Sequence, residues 1–340
     1  MPMSSRCVRS TVGLFWPVVL LVQTHAKPAT LAEFQTVAAL QPKFAAELAT
    51  LRSLKAAETK QGDARLEAWD ISYYTNKLLK DRFAVDTEAL RVYFPYQATL
   101  EGMFAIYQEI FGLKFTAIEP PYVSAPGVQL YVVEDATTGA PMSAFYLDMF
   151  PREGKYNHFA CFSQKQGGVM ADGRYDLPVA ALICNFPAPS PDKPSLLKQS
   201  DVVTLFHEFG HVMHAMLSRS RCVYHTAFAV PQDFVEAPSQ MLENWARDKT
   251  VLDTFAAYFG HYAGYDAGYY GYQWARVLAI DMASEFTKAP GGFLDTNVGR
   301  RLRNEVYGVG HTRDVAESVE KFLGRPRSQP PFLDYVGIKK

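Results

Sequence analysis

Cysteine is scarce in this chain of 340 residues. The four present, Cys7, Cys161, Cys184 and Cys222, make no CxxC pair and no zinc-ribbon spacing, and they are too few for a disulfide framework. They read as free core thiols. An excess of charge of either sign is missing as well: 34 Lys and Arg against 35 Asp and Glu leave a net charge of -1. Such a chain has no global field to draw in a nucleic acid or an anionic membrane, so neither is expected as a partner. Low-complexity tracts and internal repeats are also lacking. With 48% apolar and 20% charged residues, a disordered chain, a collagen-like rod and a coiled coil are excluded. A globular chain of this length buries about 75% of its unfolded surface without staples. Beyond the amino terminus, no stretch approaches the roughly 18 consecutive apolar residues of a membrane helix.

The first 26 residues differ from the rest. Met1 to Ser10 carry Arg6 and Arg9 and no acid, Val12 to Val22 are apolar, and Thr24-His25-Ala26 has small residues at its first and third places. That is the layout of a secretory signal peptide cut after Ala26; a mis-assigned start or an unrelated leader is the alternative. Gly13, Pro17 and the shortness of the apolar run argue against an anchor. A true signal implies a secreted or periplasmic protein that has lost Cys7; without one the cytoplasm is expected.

Past Ala26 the pattern is helical. Leu31, Phe34 and Val37 recur at three, and Phe44, Leu48 and Leu51 recur at four and three after an expected break at Pro42. Both read as core stripes. Thr99 to Phe111 repeats the pattern through Leu100, Phe104 and Tyr107, with Gly112 where a helix stop belongs. Val128 to Val133 and Met142 to Leu147 read as the strands of a hairpin, joined by a turn-forming segment from Ala136 to Pro141. A third β-rich run, Val179 to Phe186, is bounded by Pro178 and Pro187. Helical spacing dominates from there, broken at Pro187 to Pro194 and in a turn cluster at Gly308 to Gly310.

Residues 207 to 211 read His-Glu-Phe-Gly-His, inside a run whose Val203, Phe206, Phe209 or Gly210, Met213 and Leu217 keep helical spacing. Ser200 is the expected N-cap, with Asp201 in the first turn. Histidines four apart project from one helix face, so both imidazoles can reach a single ion at zinc–nitrogen distances near ~2.1 Å. Glu208 then sits close enough to act on water at that ion without being a ligand. A catalytic zinc needs a third protein ligand. His214 lies seven residues after His207, about two turns away, and suits packing or a hydrogen bond better than ligation. Downstream, Asp233-Phe234-Val235-Glu236-Ala237-Pro238-Ser239-Gln240 opens a second helical run. Glu236 can face the first helix, or it can be the third residue of a capping box with Asp233.

Together with these two blocks, Gly264-Tyr265-Asp266-Ala267-Gly268-Tyr269-Tyr270-Gly271-Tyr272 makes the chain resemble the thimet oligopeptidase, oligopeptidase A and dipeptidyl carboxypeptidase family of zinc peptidases. The resemblance extends through Phe150 to Tyr156, Pro178 to Phe186 and Lys321 to Arg325, covering roughly Ala26 to Ile338. It implies a mainly α fold with a small β-sheet, a zincin-like (neurolysin-like) catalytic region. Within residues 27–340 the division is helical over 27–118, β-rich over 119–187, with the zinc-site helices and a tyrosine loop over 188–340.

By the same resemblance His207, His211 and Glu236 hold one zinc, and Glu208 is the catalytic base. Tyr265 and Tyr272 face the zinc, Tyr269 lies near substrate, and a nearby histidine carries over to His261. In zinc peptidases with this helix pair the substrate backbone commonly adds to a sheet edge. The run from Val179 to Phe186, around Ala181, is either that edge or an ordinary buried strand. His158, His225 and His311 receive no role.

The implied substrates are short unstructured peptides, with endopeptidase and dipeptidyl carboxypeptidase action both open. Members of that family are roughly twice this long, so the resemblance implies the absence of their mostly helical amino-terminal half, one wall of a channel over the zinc. A truncated gene model, a genuine short form and a weakly active or inactive peptide-binding product all fit. Helices such as Leu31 to Leu40 and Thr99 to Phe111 would then expose apolar stripes, and self-association is expected.

Overall fold

Gly112 adopts a left-handed conformation, φ +65°, and stops helix α3 (Tyr96–Phe111) where the sequence predicts. In this computed structural model, residues 31–62, 64–83, 88–256 and 270–335 are described. The leader-like segment and Cys7 lie outside them. Strand β1 (Leu113–Ile118) follows at once, so the sheet begins inside the stretch expected to be helical. The reason is visible in Leu-Lys-Phe-Thr-Ala-Ile, whose period of two suits a half-buried strand. β2 (Gln129–Asp135) and β3 (Pro141–Asp148) form the expected antiparallel hairpin.

The chain then makes β4 (Ala160–Lys165), a short pair β5 (Gly168–Val169) and β6 (Tyr175–Asp176), and β7 (Val179–Ile183). The main sheet runs β1-β2-β3-β7-β4. β7 is parallel to β3, with Ala181 beside Tyr146, and antiparallel to β4, with Ala181 beside Phe162. Of the two readings of this run the interior strand is the one found, and β4 is the edge on that side. Folding the segment after Asp148 back as β4 covers the flank that the sequence reading leaves open on β7.

Helix α4 (Gln199–Leu217) packs on this sheet, and α5 (Ala237–Leu242) packs on α4. Phe209 of α4 is the hinge of the aromatic core. Its ring stacks on Tyr107 of α3, with centroids 5.7 Å apart, and meets Phe104 at 5.4 Å and Phe145 of β3 at 5.3 Å. The remaining α-helices among the described residues are α6 (Lys249–Leu252), α7 (Tyr270–Lys288), α8 (Thr296–Leu302), α9 (Val315–Leu323) and α10 (Pro330–Tyr335). The architecture is mainly α with a small mixed sheet. Among the described residues no helix is long and apolar enough to cross a membrane.

The amino-terminal helices depart from expectation. α1 (Leu31–Thr59) runs straight through Pro42, and α2 (Ala68–Phe83) packs against it. Proline removes one helical hydrogen bond, and residues 41–46 around it are exposed, so the helix continues with a single local loss. The stripe expected to be core is only partly so: Phe44 is 44% exposed, Leu48 is half-buried and Leu51 is buried. The stripe of α3 is covered within the chain, with Leu100, Phe104, Tyr107 and Phe111 all buried. Of the thiols, Cys184 is buried and Cys161 half-buried, whereas Cys222 is exposed on the loop after α4 and is not a core residue.

Candidate metal centre

α4 begins one residue before the expected cap. Lys198 is the N-cap, and its peptide N–H donates to Asp201 Oδ2 at 2.8 Å, which leaves Ser200 within the first turn. The apolar stripe is buried as its spacing predicts, from Val203 and Phe206 through Phe209 and Met213 to Leu217. Gly210 sets the approach of the second helix. A Cβ there would stand 2.6 Å from Ser239 Cα, so only glycine lets the backbones of α4 and α5 come this close.

Because of that approach, Glu236 crosses from the start of α5 to α4. It stands at the N-cap position, yet its side chain caps nothing in the helix, which sets aside the capping-box alternative. Its Oε2 lies 3.2 Å from His207 Nε2 and 3.1 Å from His211 Nε2, and accepts a hydrogen bond from Ser239 Oγ at 3.0 Å. The three groups offer donor atoms within 4.8 Å of one another. Four ligands arranged tetrahedrally at ~2.1 Å from zinc are about 3.4 Å apart, so this spacing and this nitrogen and carboxylate set fit such an ion. His207, His211 and Glu236 could hold it.

The electrostatics agree with an ion-binding cluster. Burial opposes charge on His207, but hydrogen bonds to Glu236 and Glu243 prevail and push its pKa up to about 10. Burial likewise opposes ionisation of Glu236, yet the two imidazoles hold its carboxyl well below the usual range. Left to themselves these groups share a proton, which a divalent cation would displace.

Glu208, on the next position of α4, is buried and outside the ligand set. Burial raises its pKa, and charge on His207 and His211 counters the rise. The peptide N–H of Cys161, on the strand β4 that packs against α4, favours its ionised form.

His214 is a core residue, as its distance along the helix predicts. It is 2% exposed, its ring stands edge-on to Tyr307 at 5.5 Å, and burial drives its pKa down to about 3. Of the residues added by resemblance, His261, Tyr265 and Tyr269 lie outside the described residues. Tyr272 falls on the first turn of α7, and its side chain is not described. Ala181 is buried in the interior strand β7.

Glu243 is what the sequence reading misses: its Oε1 lies 2.9 Å from His207 Nδ1. The available signal is its place seven residues after Glu236, two helical turns along the same side.

Residues 20–259 and 253–338 match the model of Peptidase family M3. The chain is similar to thimet-like oligopeptidase of Dictyostelium discoideum, 30% identical over 81% of this chain and 53% of the relative. It is also similar to saccharolysin of Saccharomyces cerevisiae, 30% identical over 86% of this chain and 54% of the relative. Oligopeptidase A of Escherichia coli is 28% identical over 88% of this chain and 55% of the relative. The chain spans about half the length of the curated relatives it matches.

Proposed function

The chain belongs to peptidase family M3, and from that premise we propose that it is a zinc metallopeptidase hydrolysing short unstructured peptides. The observation that carries the reading is the convergence of His207, His211 and Glu236, with Glu208 buried beside them and outside the ligand set. Zinc held by those three residues would supply a Lewis acid, polarising the scissile carbonyl and acidifying nearby water. Glu208 takes the proton of the attacking water and passes it to the leaving amine, acting as general base and then general acid. Glu208 sits on the helix that packs against the edge strand β4. A peptide pairing with that edge through main-chain hydrogen bonds would be held with broad tolerance of its side chains. Tyr272 and Tyr265 are proposed as donors to the oxyanion, with His261 beside them and Tyr269 at the substrate.

A second reading is a peptide-binding chain with weak or no turnover. A quenched-fluorescence peptide assay on the purified chain separates the two. Turnover abolished by chelator and restored by zinc is the expected result. Peptide binding without turnover in the zinc-loaded chain would favour the second reading, and neither binding nor turnover would count against both.

A further inference from the structure

Glu243 closes α5, and its residue is 6% exposed. A buried carboxylate is costly unless paired and hydrogen-bonded, and this one has partners from three directions. Oε1 faces His207 Nδ1 at 2.9 Å. Oε2 accepts from Arg247 at 2.8 Å, four residues on, and lies 3.9 Å from the Arg276 guanidinium of α7. Arg276 in turn donates to the Tyr335 hydroxyl of α10 at 3.3 Å. Two guanidinium groups therefore keep Glu243 ionised, and an ionised carboxylate only accepts hydrogen bonds. The hydrogen between the two residues must then sit on His207 Nδ1. Nε2 is then the nitrogen turned toward Glu236 and the site where an ion would bind, its own proton being the one a cation displaces.

We propose that Glu243, clamped by Arg247 and Arg276, is a positioning residue that fixes the tautomer and ring plane of His207 so that Nε2 is presented as a metal ligand. The proposal rests on the zinc metallopeptidase reading. Glu243 touches neither substrate nor ion and acts through His207 alone. Carboxylates that hold ligating histidines in this way change metal affinity by about 10- to 100-fold when removed. A purely structural carboxylate joining three helices would change the stability of the fold and leave zinc affinity alone.

Competition against a chromophoric chelator tests this on the full chain, comparing wild type with Glu243→Gln and Glu243→Leu and checking that each is folded. Glu243→Gln keeps an acceptor for the Nδ1 hydrogen but loses the charge, and zinc affinity is expected to fall about tenfold. Glu243→Leu removes the acceptor, and the loss should approach about 100-fold. If the leucine variant fails to fold, the near-isosteric glutamine variant carries the test alone. Wild-type zinc affinity in a folded variant, whatever its thermal stability, would overturn the proposal while leaving the metallopeptidase reading intact. A wild-type chain that takes up no zinc would overturn both.

Discussion

Replacing the Glu208 carboxylate by an amide removes the proton acceptor beside the ligand set and leaves the size of the side chain unchanged. Glu208→Gln is expected to keep its zinc and its fold and to lose about 10²- to 10⁴-fold in kcat, the usual contribution of a positioned acid–base group. Near wild-type kcat would remove Glu208 from the mechanism. His214 gives a prediction about acid stability. Its native pKa of about 3 lies below the ordinary 6.5 because the ring is buried, with His211 as a second cause. Between those values the unfolded chain holds a proton that the native chain refuses, so stability falls as pH drops through the window. The full effect is on the order of 5 kcal/mol. His214→Gln should flatten the drop in urea midpoint between pH ~7 and ~4.5, and an unchanged drop would refute it. At this scale the His207 and His211 pair was legible, because four-residue spacing on a helix dictates a shared face, whereas Glu236 came only with the family resemblance. Glu243 was not legible: in Leu-Glu-Asn-Trp-Ala-Arg it reads as an ordinary helical acid, and only the crossing of α4 and α5 brings it to His207.

Elements were read best where their pattern is local. The β2–β3 hairpin and α3 follow from alternation, turn residues and a glycine stop, and both stand where expected. β4 is different. Ala-Cys-Phe-Ser-Gln-Lys alternates weakly, and its pairing with β7 is made across a long excursion, so nothing local announces that β4 takes the edge. Pro42 misled in the opposite direction, because a single lost hydrogen bond on a solvated stretch does not end a long helix. The pairing of α4 with α5 depends on Gly210, whose missing Cβ admits Ser239. Gly210→Ala should push α5 away, carrying Glu236 from the histidines, and cost about 1–3 kcal/mol of overpacking strain. Chelator competition together with denaturant unfolding would check it. A stable variant with undiminished zinc affinity would mean that the close approach does not position Glu236.

On the scale of the whole molecule, several large apolar side chains are uncovered among the described residues. α3 is fully packed, whereas Trp69 and Tyr73, four apart on α2, are 77% and 55% exposed, and Phe44 on α1 is 44% exposed. Neighbouring exposed aromatic groups such as Trp69 and Tyr73 favour association. The purified chain should therefore self-associate in light scattering, and Trp69→Lys with Tyr73→Lys should weaken that association. A monodisperse wild-type monomer would contradict this. The mainly helical class, the sheet and the ligand pair were all readable before the fold, since each rests on periodicity. How the elements face one another was not, since that is decided by contacts between residues far apart in the chain. The central claim is that three residues from two helices bind one catalytic zinc. It is tested most directly by elemental analysis of the purified chain and of His207→Ala, His211→Ala and Glu236→Ala. The account predicts one zinc per chain in the wild type and its loss in each variant. Full zinc retention in Glu236→Ala, or a wild-type chain that binds none, would contradict it.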